Sequence, residues 1–330
     1  MFRDKLAKKL AIFMVLLLFL SACQSGATSG DKREHKGLKV KVQTVDGEVE
    51  VHKNPEKVVV LDNRSFETLE DWNIKLEAVP KNVMDKNSTY VKNKEVQNIG
   101  DHKEPKLELL AAINPDLVIV GQRFSKYYEE IKRLVPNAEV INIDIDLSEN
   151  TEHTGENLYN GLKNITEDLG KIFDKDKEAN KLNDRLDTAI NKAKKSYKDE
   201  SVMSIIVSGG KIRYAAPGSG RVWGPLYELI DLKASLKIDN STADHKGDDI
   251  SVEAIAQSNP DWILVLDRDA AISSEDDAIP AKETIMSSKV LKNTKAIKDN
   301  QVIFAPDNTY TNESIQTYIN ILEDLADAFN

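Results

Sequence analysis

The chain has 330 residues, of which 30% are charged, and its formal net charge is −10. An acidic balance of this size argues against nucleic acid as a partner. Cys23 is the only cysteine in the sequence, so an internal disulfide is excluded and the fold must depend on its hydrophobic core.

The amino terminus has the pattern of an export and anchoring segment. A positively charged start precedes an apolar run over residues 10–20, which is too short to remain as a transmembrane helix. The motif Leu20-Ser21-Ala22-Cys23 resembles the bacterial lipobox, in which the cysteine is lipidated and becomes the first residue of the mature protein. We therefore expect a signal peptide over residues 1–22 and a lipidated Cys23 with a flexible tether over residues 23–37. A secretory signal peptide with a chance cysteine is the alternative.

Residues 38–154 alternate between strand and helix patterns, which predicts a lobe built on a parallel sheet. An amino-terminal hairpin is expected over residues 38–52, because apolar and polar residues largely alternate and Asp46-Gly47 supplies a turn. The other predicted elements of this lobe are a strand over 57–62, a helix from Ser65, a strand over 76–80, a polar loop over 82–93, a helix over 125–134 and a strand over 138–143.

Residues 155–198 are predicted to form one long helix that connects two lobes. Apolar residues recur there at helical spacing, among them Leu158, Leu162 and Ile165, and no proline interrupts the pattern. Sustained heptads are absent, which disfavours a coiled coil. The polar stretch Asp174-Lys175-Asp176 marks the place where the helix would break.

Residues 199–330 are predicted to form a second lobe. The loop Pro217-Gly218-Ser219-Gly220-Arg221 lacks the Gly-Lys-Ser/Thr end of an ATPase phosphate-binding loop. The other predicted elements are strands over 202–208 and 211–215, a helix over 225–230, a strand over 236–238, a polar loop over 239–249, a helix over 281–286, a strand over 301–304 and a closing helix from about Asn312.

The two lobes share a repeated segment. Residues 107–120 and 252–265 carry Glu, Asn-Pro-Asp and an apolar run at the same offsets, 145 positions apart, and each copy is followed by an arginine, Arg123 or Arg268. Each copy predicts a helix that proline ends and a strand buried on both faces. The arginines fall just past the carboxyl end of the strand, where ligands bind in open α/β sheets. We therefore predict a duplicated α/β architecture with a ligand between two lobes.

These features resemble the substrate-binding lipoproteins of ATP-driven importers for ferric siderophores and cobalamin. The resemblance covers about residue 58 to the carboxyl terminus and rests on the lipobox, the repeated segment and the interlobe helix. It implies a class III substrate-binding fold: α/β, with two similar lobes of mostly parallel sheets joined by one long α-helix. It also implies a monomeric receptor without a permanent cofactor, anchored by lipid to the extracytoplasmic face of a Gram-positive cell membrane, with ABC permease subunits as partners.

Among these proteins the sequence most resembles the catecholate-siderophore receptors, which place three arginines around the deprotonated catechols. The matching positions are Arg123, Arg221 and Arg268. Arginine is scarce here, with nine among 45 basic residues, and it recognises planar anions in a way that lysine cannot copy. A ferric tris-catecholate carries about three negative charges, so charge-assisted contacts from three guanidiniums would be strong. We therefore expect a ferric catecholate as the transported ligand.

The same subfamily suggests roles for other side chains. A histidine and a tyrosine bind iron directly when the siderophore fills only four of its sites, and the matching positions are His245 and Tyr310. If neither of them binds iron, the ligand is expected to be hexadentate. The aromatic residues that are candidates for lining the cleft are Trp223, Tyr214, Tyr90 and Tyr127.

Glu108 and Glu253 occupy equivalent positions in the two repeats. They match the carboxylates that dock onto permease arginines in this family. Both also lie near a predicted helix start, where the helix dipole favours a negative charge. Their symmetric placement favours docking.

Three other functions are alternatives. An exported enzyme would need catalytic residues, but the sequence shows no arguable Ser-His-Asp order and no cysteine nucleophile in the mature domain. A receptor for Zn²⁺ or Mn²⁺ alone would need three or four converging ligands, whereas His35, His52 and His102 lie outside the predicted cleft loops. The same fold could also bind a hydroxamate siderophore, haem or cobalamin. Hydroxamate complexes are near neutral or cationic and would not require three arginines.

Overall fold

The computed structural model describes residues 37–101, 104–272 and 279–330. The predicted signal peptide, Cys23 and all but the last residue of the predicted tether lie outside the described residues. The described residues belong to one compact unit, Lys36–Asn330. Within them, no helix combines the length and the apolar character that crossing a membrane requires.

The described chain begins with the predicted hairpin, formed by β1 (Lys39–Thr44) and β2 (Gly47–His52) in antiparallel register. Gly47 has φ +92°, a left-handed conformation that glycine adopts without steric cost. The hairpin packs on the rest of the protein, since the backbone N–H of His52 donates to Glu139 Oε2 at 2.7 Å.

The first sheet has five strands, all parallel, in the spatial order β5-β4-β3-β6-β7. Its strands are β3 (Val58–Leu61), β4 (Ala78–Val79), β5 (Gln97–Asn98), β6 (Leu117–Val120) and β7 (Glu139–Asn142). Its helices are α1 (Phe66–Asp71), α2 (Thr89–Lys92), α3 (Leu107–Ile113) and α4 (Tyr128–Leu134). Every residue of β3 and β6 is buried, which confirms that the apolar runs are central strands. The segment 82–93, expected as a loop, contains α2.

The segment predicted as one helix over residues 155–198 forms two helices, α5 (Thr154–Phe173) and α6 (Asp176–Ser196). The break falls within the polar stretch that the sequence marks, because Asp174 takes a left-handed conformation with φ 55°. Gly170 allows the two helices to pack closely, since a Cβ there would lie 2.8 Å from the Cβ of Ala179. The predicted extent of the connecting helix is therefore corrected to α5.

Helix α5 contacts both lobes. At its start, the N–H of Gly155 donates to Glu228 Oε2 at 2.7 Å, and Glu228 lies in α7 (Gly224–Leu229) of the second lobe. Near its end, Asp168 Oδ2 accepts from the N–H of Gln43 in the hairpin at 2.7 Å. The helical connection between the lobes is thus present as two helices, since α6 returns along α5 and leads to β8 of the second lobe.

The second sheet has the order β10-β8-β11-β12, with β9 antiparallel to β8 and the other pairs parallel. Its strands are β8 (Ser201–Ser208), β9 (Lys211–Tyr214), β10 (Lys233–Ala234), β11 (Trp262–Asp267) and β12 (Val302–Phe304). The helices that follow α7 are α8 (Val252–Ser258), α9 (Arg268–Ile272), α10 (Ala281–Met286), α11 (Lys295–Lys298) and α12 (Ile315–Ala328). The short strand expected over 236–238 lies at β10 instead.

The repeated segment has the predicted conformation in both lobes. Helices α3 and α8 each end at the Asn before the proline, and Asn114 and Asn259 have nearly equal left-handed φ angles of 48° and 45°. The buried strands β6 and β11 follow. The duplication predicted from the sequence is therefore a structural one.

Polar contacts tie the last segment of the chain to the first lobe. Asn63 Nδ2 donates to the carbonyl oxygen of Thr311 at 2.7 Å, and Thr68 Oγ1 donates to Gln316 Oε1 at 2.9 Å. Glu67 Oε2 accepts from Asn312 Nδ2 at 2.9 Å and from the Ser314 hydroxyl. These contacts, together with α5, hold the two lobes in a fixed arrangement.

Candidate ligand-binding cleft

Three arginines lie directly after strands of the two sheets. Arg64 follows β3, and Arg123 lies in the 3₁₀ helix Gln122–Tyr127 that follows β6. Arg268 is the first residue of α9, immediately after β11. Since ligands bind at the carboxyl ends of strands in open α/β sheets, these arginines mark the candidate cleft between the lobes.

Arg221 comes from a tight loop that depends on glycine. A Cβ on Gly220 would lie 2.4 Å from the backbone nitrogen of Ala216, so only glycine permits this approach. Val222 then has φ +67°, which turns the chain into α7. The loop sets Arg221 against Glu313: Nε donates to Glu313 Oε1 at 2.7 Å, and Nη2 also contacts that oxygen. The pair is buried, with Arg221 13% and Glu313 3% exposed.

Tyr310 brings the three predicted arginines together. The Cζ atom of Arg221 lies 4.1 Å from the centre of the tyrosine ring, and that of Arg268 lies 5.2 Å from it. Nη2 of Arg221 donates to the Tyr310 carbonyl oxygen at 2.9 Å. The Tyr310 side chain also lies close enough to Arg123 to oppose the lowering of the pKa of that guanidinium. Tyr310 is only 2% exposed. The residue predicted as a possible iron ligand is therefore buried among the guanidiniums.

The guanidiniums are close enough to influence one another. Burial and then the positive charge of Arg221 lower the pKa of Arg123, while Tyr310 and Glu313 oppose that change. Within the described part of the chain, the Nε atoms of Arg123 and Arg268 make no hydrogen bond. The cluster thus places several guanidiniums close together and leaves two Nε donors without an acceptor. A bound anion would stabilise this arrangement.

His245 lies near the same cluster, as the sequence predicts. Burial lowers the pKa of His245, and the nearby charges of Arg221 and Arg268 lower it further, although Asp244 opposes them. This shift favours the neutral imidazole, which can accept a hydrogen bond or bind a metal. Its side chain is 48% exposed, which leaves it accessible to a ligand.

A cavity of about 140 Å³ lies between the lobes next to the arginine cluster. A wider depression of about 580 Å³ shares four of its lining residues. Arg221 and His245 line the cavity. Arg123, Arg268 and Tyr310 lie beside it: Tyr310 contacts Arg221 and Arg268, and Arg123 lies near Arg221. The residues that line the cavity are Arg64, Gln122, Leu147, Ser219, Gly220, Arg221, Val222, Pro225, Ala243, His245 and Glu313.

The sequence interpretation missed two charged residues of the cleft, Arg64 and Glu313. Arg64 is 4% exposed, its Nη1 donates to Asp144 Oδ1 at 3.2 Å, and its Nη2 lies 4.0 Å from Glu313 Oε2. The expectation that ligands bind at the carboxyl ends of strands, applied to β3, would have identified Arg64. Glu313 carries no comparable signal, because it lies in a polar run before α12 and its partners are distant in sequence.

Two aromatic residues predicted to line the cleft are instead part of the core. Trp223 is 0% and Tyr214 1% exposed, and the Tyr214 hydroxyl donates to the Leu236 carbonyl oxygen at 2.7 Å. The prediction that they contact ligand is wrong for this conformation, because their faces are covered by core side chains. Tyr90 is also buried, with its hydroxyl on the Ile74 carbonyl oxygen, and Tyr127 packs against the core of the first sheet.

Glu108 and Glu253 are exposed and lie in the first turns of α3 and α8. The structure thus places the two carboxylates at equivalent points of the two repeats, on the surface. Their predicted docking onto permease arginines stays a prediction.

Comparison with known proteins supports this architecture. The petrobactin-binding protein YclQ of Bacillus subtilis is 28% identical over 312 residues, 92% of each chain. Its crystal structure superposes with a TM-score of 0.73 and 25% identity over 89% of this chain and 99% of YclQ. The ferric-anguibactin-binding protein FatB of Vibrio anguillarum is 24% identical over 98% of each chain.

The fold itself recurs in more distant proteins. The periplasmic catecholate-siderophore-binding protein VctP of Vibrio cholerae, at 20% identity, superposes with a TM-score of 0.73 over 87% of this chain and 99% of VctP. These superpositions confirm the two-lobed class III fold with central parallel sheets. The model of a family described as periplasmic binding protein matches residues 58–309. Since that match covers well over half of the chain, this protein belongs to the periplasmic binding protein family.

Proposed function

We propose that this protein is a membrane-anchored extracytoplasmic receptor that binds a ferric catecholate siderophore in the interlobe cleft and delivers it to an ABC permease. The observation that carries the proposal is the convergence of Arg123, Arg221 and Arg268 on one buried tyrosine at the strand ends. The names of YclQ and FatB, which are binding proteins for petrobactin and ferric anguibactin, support siderophore transport as the broad function.

The charge of the cleft favours a catecholate over a hydroxamate. Residues 1–22 carry four basic side chains and one acidic one, so the chain without them has a net charge of −13 and would repel a trianion at long range. Four arginines at the cleft, including Arg64, reverse this field locally. A near-neutral ferric hydroxamate would gain little from the positive charge of such a cluster.

The geometry supports direct contact between arginine and catecholate. The planar guanidinium can donate two parallel hydrogen bonds to adjacent oxygens, and these bonds are strongest where water is excluded. Arg221 is partly neutralised by Glu313, whereas Arg123 and Arg268 keep Nε donors that no described residue accepts. We therefore expect Arg221, which lines the cavity, to make the most direct ligand contact, and Arg123 and Arg268 to add positive charge beside it.

The remaining features fit a receptor that hands its ligand to a membrane partner. The exposed Glu108 and Glu253, one in each repeat, would contact permease subunits at two points. Helix α5 and the polar contacts around Glu67 limit movement between the lobes, so the ligand would be released without a large opening. The lipobox-like segment at Cys23 would keep the receptor at the membrane.

Tryptophan fluorescence tests the proposal, because the buried Trp223 lies two residues from Arg221. The purified protein is titrated with a ferric tris-catecholate and, in parallel, with a ferric hydroxamate. Saturable quenching at submicromolar catecholate with little response to hydroxamate is the expected result. A preference for the hydroxamate would keep the fold and overturn the catecholate assignment.

A further inference from the structure

Tyr310 contacts two of the predicted arginines and lies near the third. It lies in the 3₁₀ helix Thr309–Thr311, after β12, whereas Arg123 and Arg268 follow β6 and β11. The ring faces the guanidinium carbons of Arg221 and Arg268 at 4.1 and 5.2 Å, and the Tyr310 side chain opposes the lowering of the pKa of Arg123. A tyrosine in this position connects arginines from both sheets.

We propose that Tyr310 positions the three arginines and does not bind iron, so that the cargo is a ferric complex whose six iron positions are already filled by the siderophore. This inference rests on the proposed function and specifies its substrate class. Tyr310 is a positioning residue: it acts on the ligand through Arg123, Arg221 and Arg268.

Burial argues against Tyr310 as an iron ligand. With 2% of the residue exposed, its hydroxyl could reach iron in the cleft only if the ring left its place among the guanidiniums. That movement would break both cation–π contacts and would remove the Tyr310 side chain from beside Arg123. The contact through the Tyr310 carbonyl further fixes this segment to Arg221.

His245 alone cannot complete the coordination of an iron ion whose positions the siderophore fills only in part. A tetradentate siderophore leaves two iron positions open, and the half-exposed His245 imidazole could occupy one of them. The Tyr310 phenol, which would have to fill the second open position, packs against the arginines. A hexadentate catecholate needs neither ligand and uses the guanidiniums through its outer oxygens.

The first test is spectroscopic. The full-length protein and its Tyr310→Phe variant are each mixed with a ferric hexadentate tris-catecholate and with a ferric tetradentate bis-catecholate, and visible spectra and affinities are recorded. We expect the tris-catecholate to bind with its free spectrum unchanged, and Tyr310→Phe to weaken binding by no more than about tenfold, the effect of one lost hydrogen bond. A new phenolate-to-iron band with the bis-catecholate that disappears in Tyr310→Phe would overturn the inference.

The second test distinguishes positioning from a role in folding alone. Tyr310→Leu removes the ring, and we expect tris-catecholate binding to fall by about tenfold or more, with Tyr310→Phe restoring most of the loss. Adding Arg268→Ala to Tyr310→Leu should cost much less than Arg268→Ala costs in the wild type, because the two act as a unit. Additive losses would contradict the positioning role. Failure of the wild-type protein to bind either catecholate would instead refute the proposed function, and this inference with it.

Discussion

Asp116 and Asp261, which are 145 positions apart, form the same reciprocal pair of hydrogen bonds in the two lobes. The Asp116 carboxylate accepts from the N–H of Lys57 at 2.9 Å, and its own N–H donates to the Lys57 carbonyl oxygen at 2.9 Å. The Asp261 carboxylate accepts from the N–H of Ser201 at 2.7 Å, and its N–H donates to the Ser201 carbonyl oxygen at 2.9 Å. The aspartate of Asn-Pro-Asp therefore fixes the start of the neighbouring strand in the sheet, β3 in the first lobe and β8 in the second.

Replacing either aspartate should destabilise the fold. Asp116→Ala leaves the backbone donors just before β3 without their acceptor, which should cost about 1–3 kcal/mol of unfolding free energy. Asp261→Ala should cost more, because Asp261 also pairs with Lys295, whose hydrogen bond is the main reason that the pKa of Asp261 falls to about 2. Urea denaturation measures both. Asp239→Ala, at an exposed position, is the control, and equal midpoints for all three variants would contradict the assignment.

The sequence predicts the parts of the fold that local pattern determines. Asn-Pro-Asp ends a helix and begins a strand wherever it occurs, so the duplicated units over 107–120 and 252–265 are confirmed. The strand-end rule then brings Arg123 and Arg268 to one place, and the structure adds Arg221, Tyr310 and His245 to them, although their roles in binding stay predictions.

The rest depends on contacts that are distant along the chain. The sequence makes Trp223 a candidate for lining the cleft, but its indole is packed in the core. Glu313 pairs with an arginine 92 positions earlier, a relation that no local pattern contains. The break at Asp174 is marked in the sequence by the polar stretch that begins there, but the packing of α6 back onto α5 is a tertiary contact that this stretch does not contain.

Removing a cleft arginine should weaken binding of a ferric tris-catecholate. Arg123→Ala, Arg221→Ala and Arg268→Ala should each cost about 1.5–3 kcal/mol, the range for hydrogen bonds to charged groups. Fluorescence titration measures each affinity. Arg185→Ala is the matched control, because Arg185 is 46% exposed on α6 and its nearest ion pair, with Glu323, is 3.9 Å long. Unchanged affinity in two of the three cleft variants would remove the catecholate assignment.

Glu313 should be important for stability as the buried counter-ion of two arginines. Glu313→Gln keeps the shape but removes the charge beside Arg221 and Arg64, and breaking a buried pair in this way costs about 3–5 kcal/mol. Thermal unfolding measures the loss. Glu323→Gln removes an exposed carboxylate and should change stability by less than about 1 kcal/mol. Similar melting temperatures for the two variants would show that the buried pair contributes no more than a surface one.

Asp62 should make stability depend on pH. Burial raises the pKa of Asp62 to about 6, although Arg64 opposes the change, whereas an unfolded aspartate titrates near about 3.9. Because the folded protein holds this proton more tightly, the contribution is fully present below about pH 4 and is lost as the pH rises through about 6. Asp62→Asn should therefore gain roughly 2–3 kcal/mol relative to the wild type between pH 4 and pH 7.5. Urea denaturation at the two pH values measures the difference, and an equal effect of the substitution at both would contradict it.

Charge reversal at the docking residues should separate transport from binding. Glu108 and Glu253 are exposed on α3 and α8, so Glu108→Arg and Glu253→Arg should leave the affinity for ferric catecholate unchanged. If both carboxylates meet permease arginines, each reversal places like charges together at the interface, and the double variant should lower iron uptake by at least about tenfold. Uptake of iron-labelled catecholate by cells that carry each variant measures this effect. Glu104→Arg, which reverses an exposed glutamate before α3, controls for net charge, and a loss of uptake in that variant as large as in the double variant would show that docking is not specific to Glu108 and Glu253.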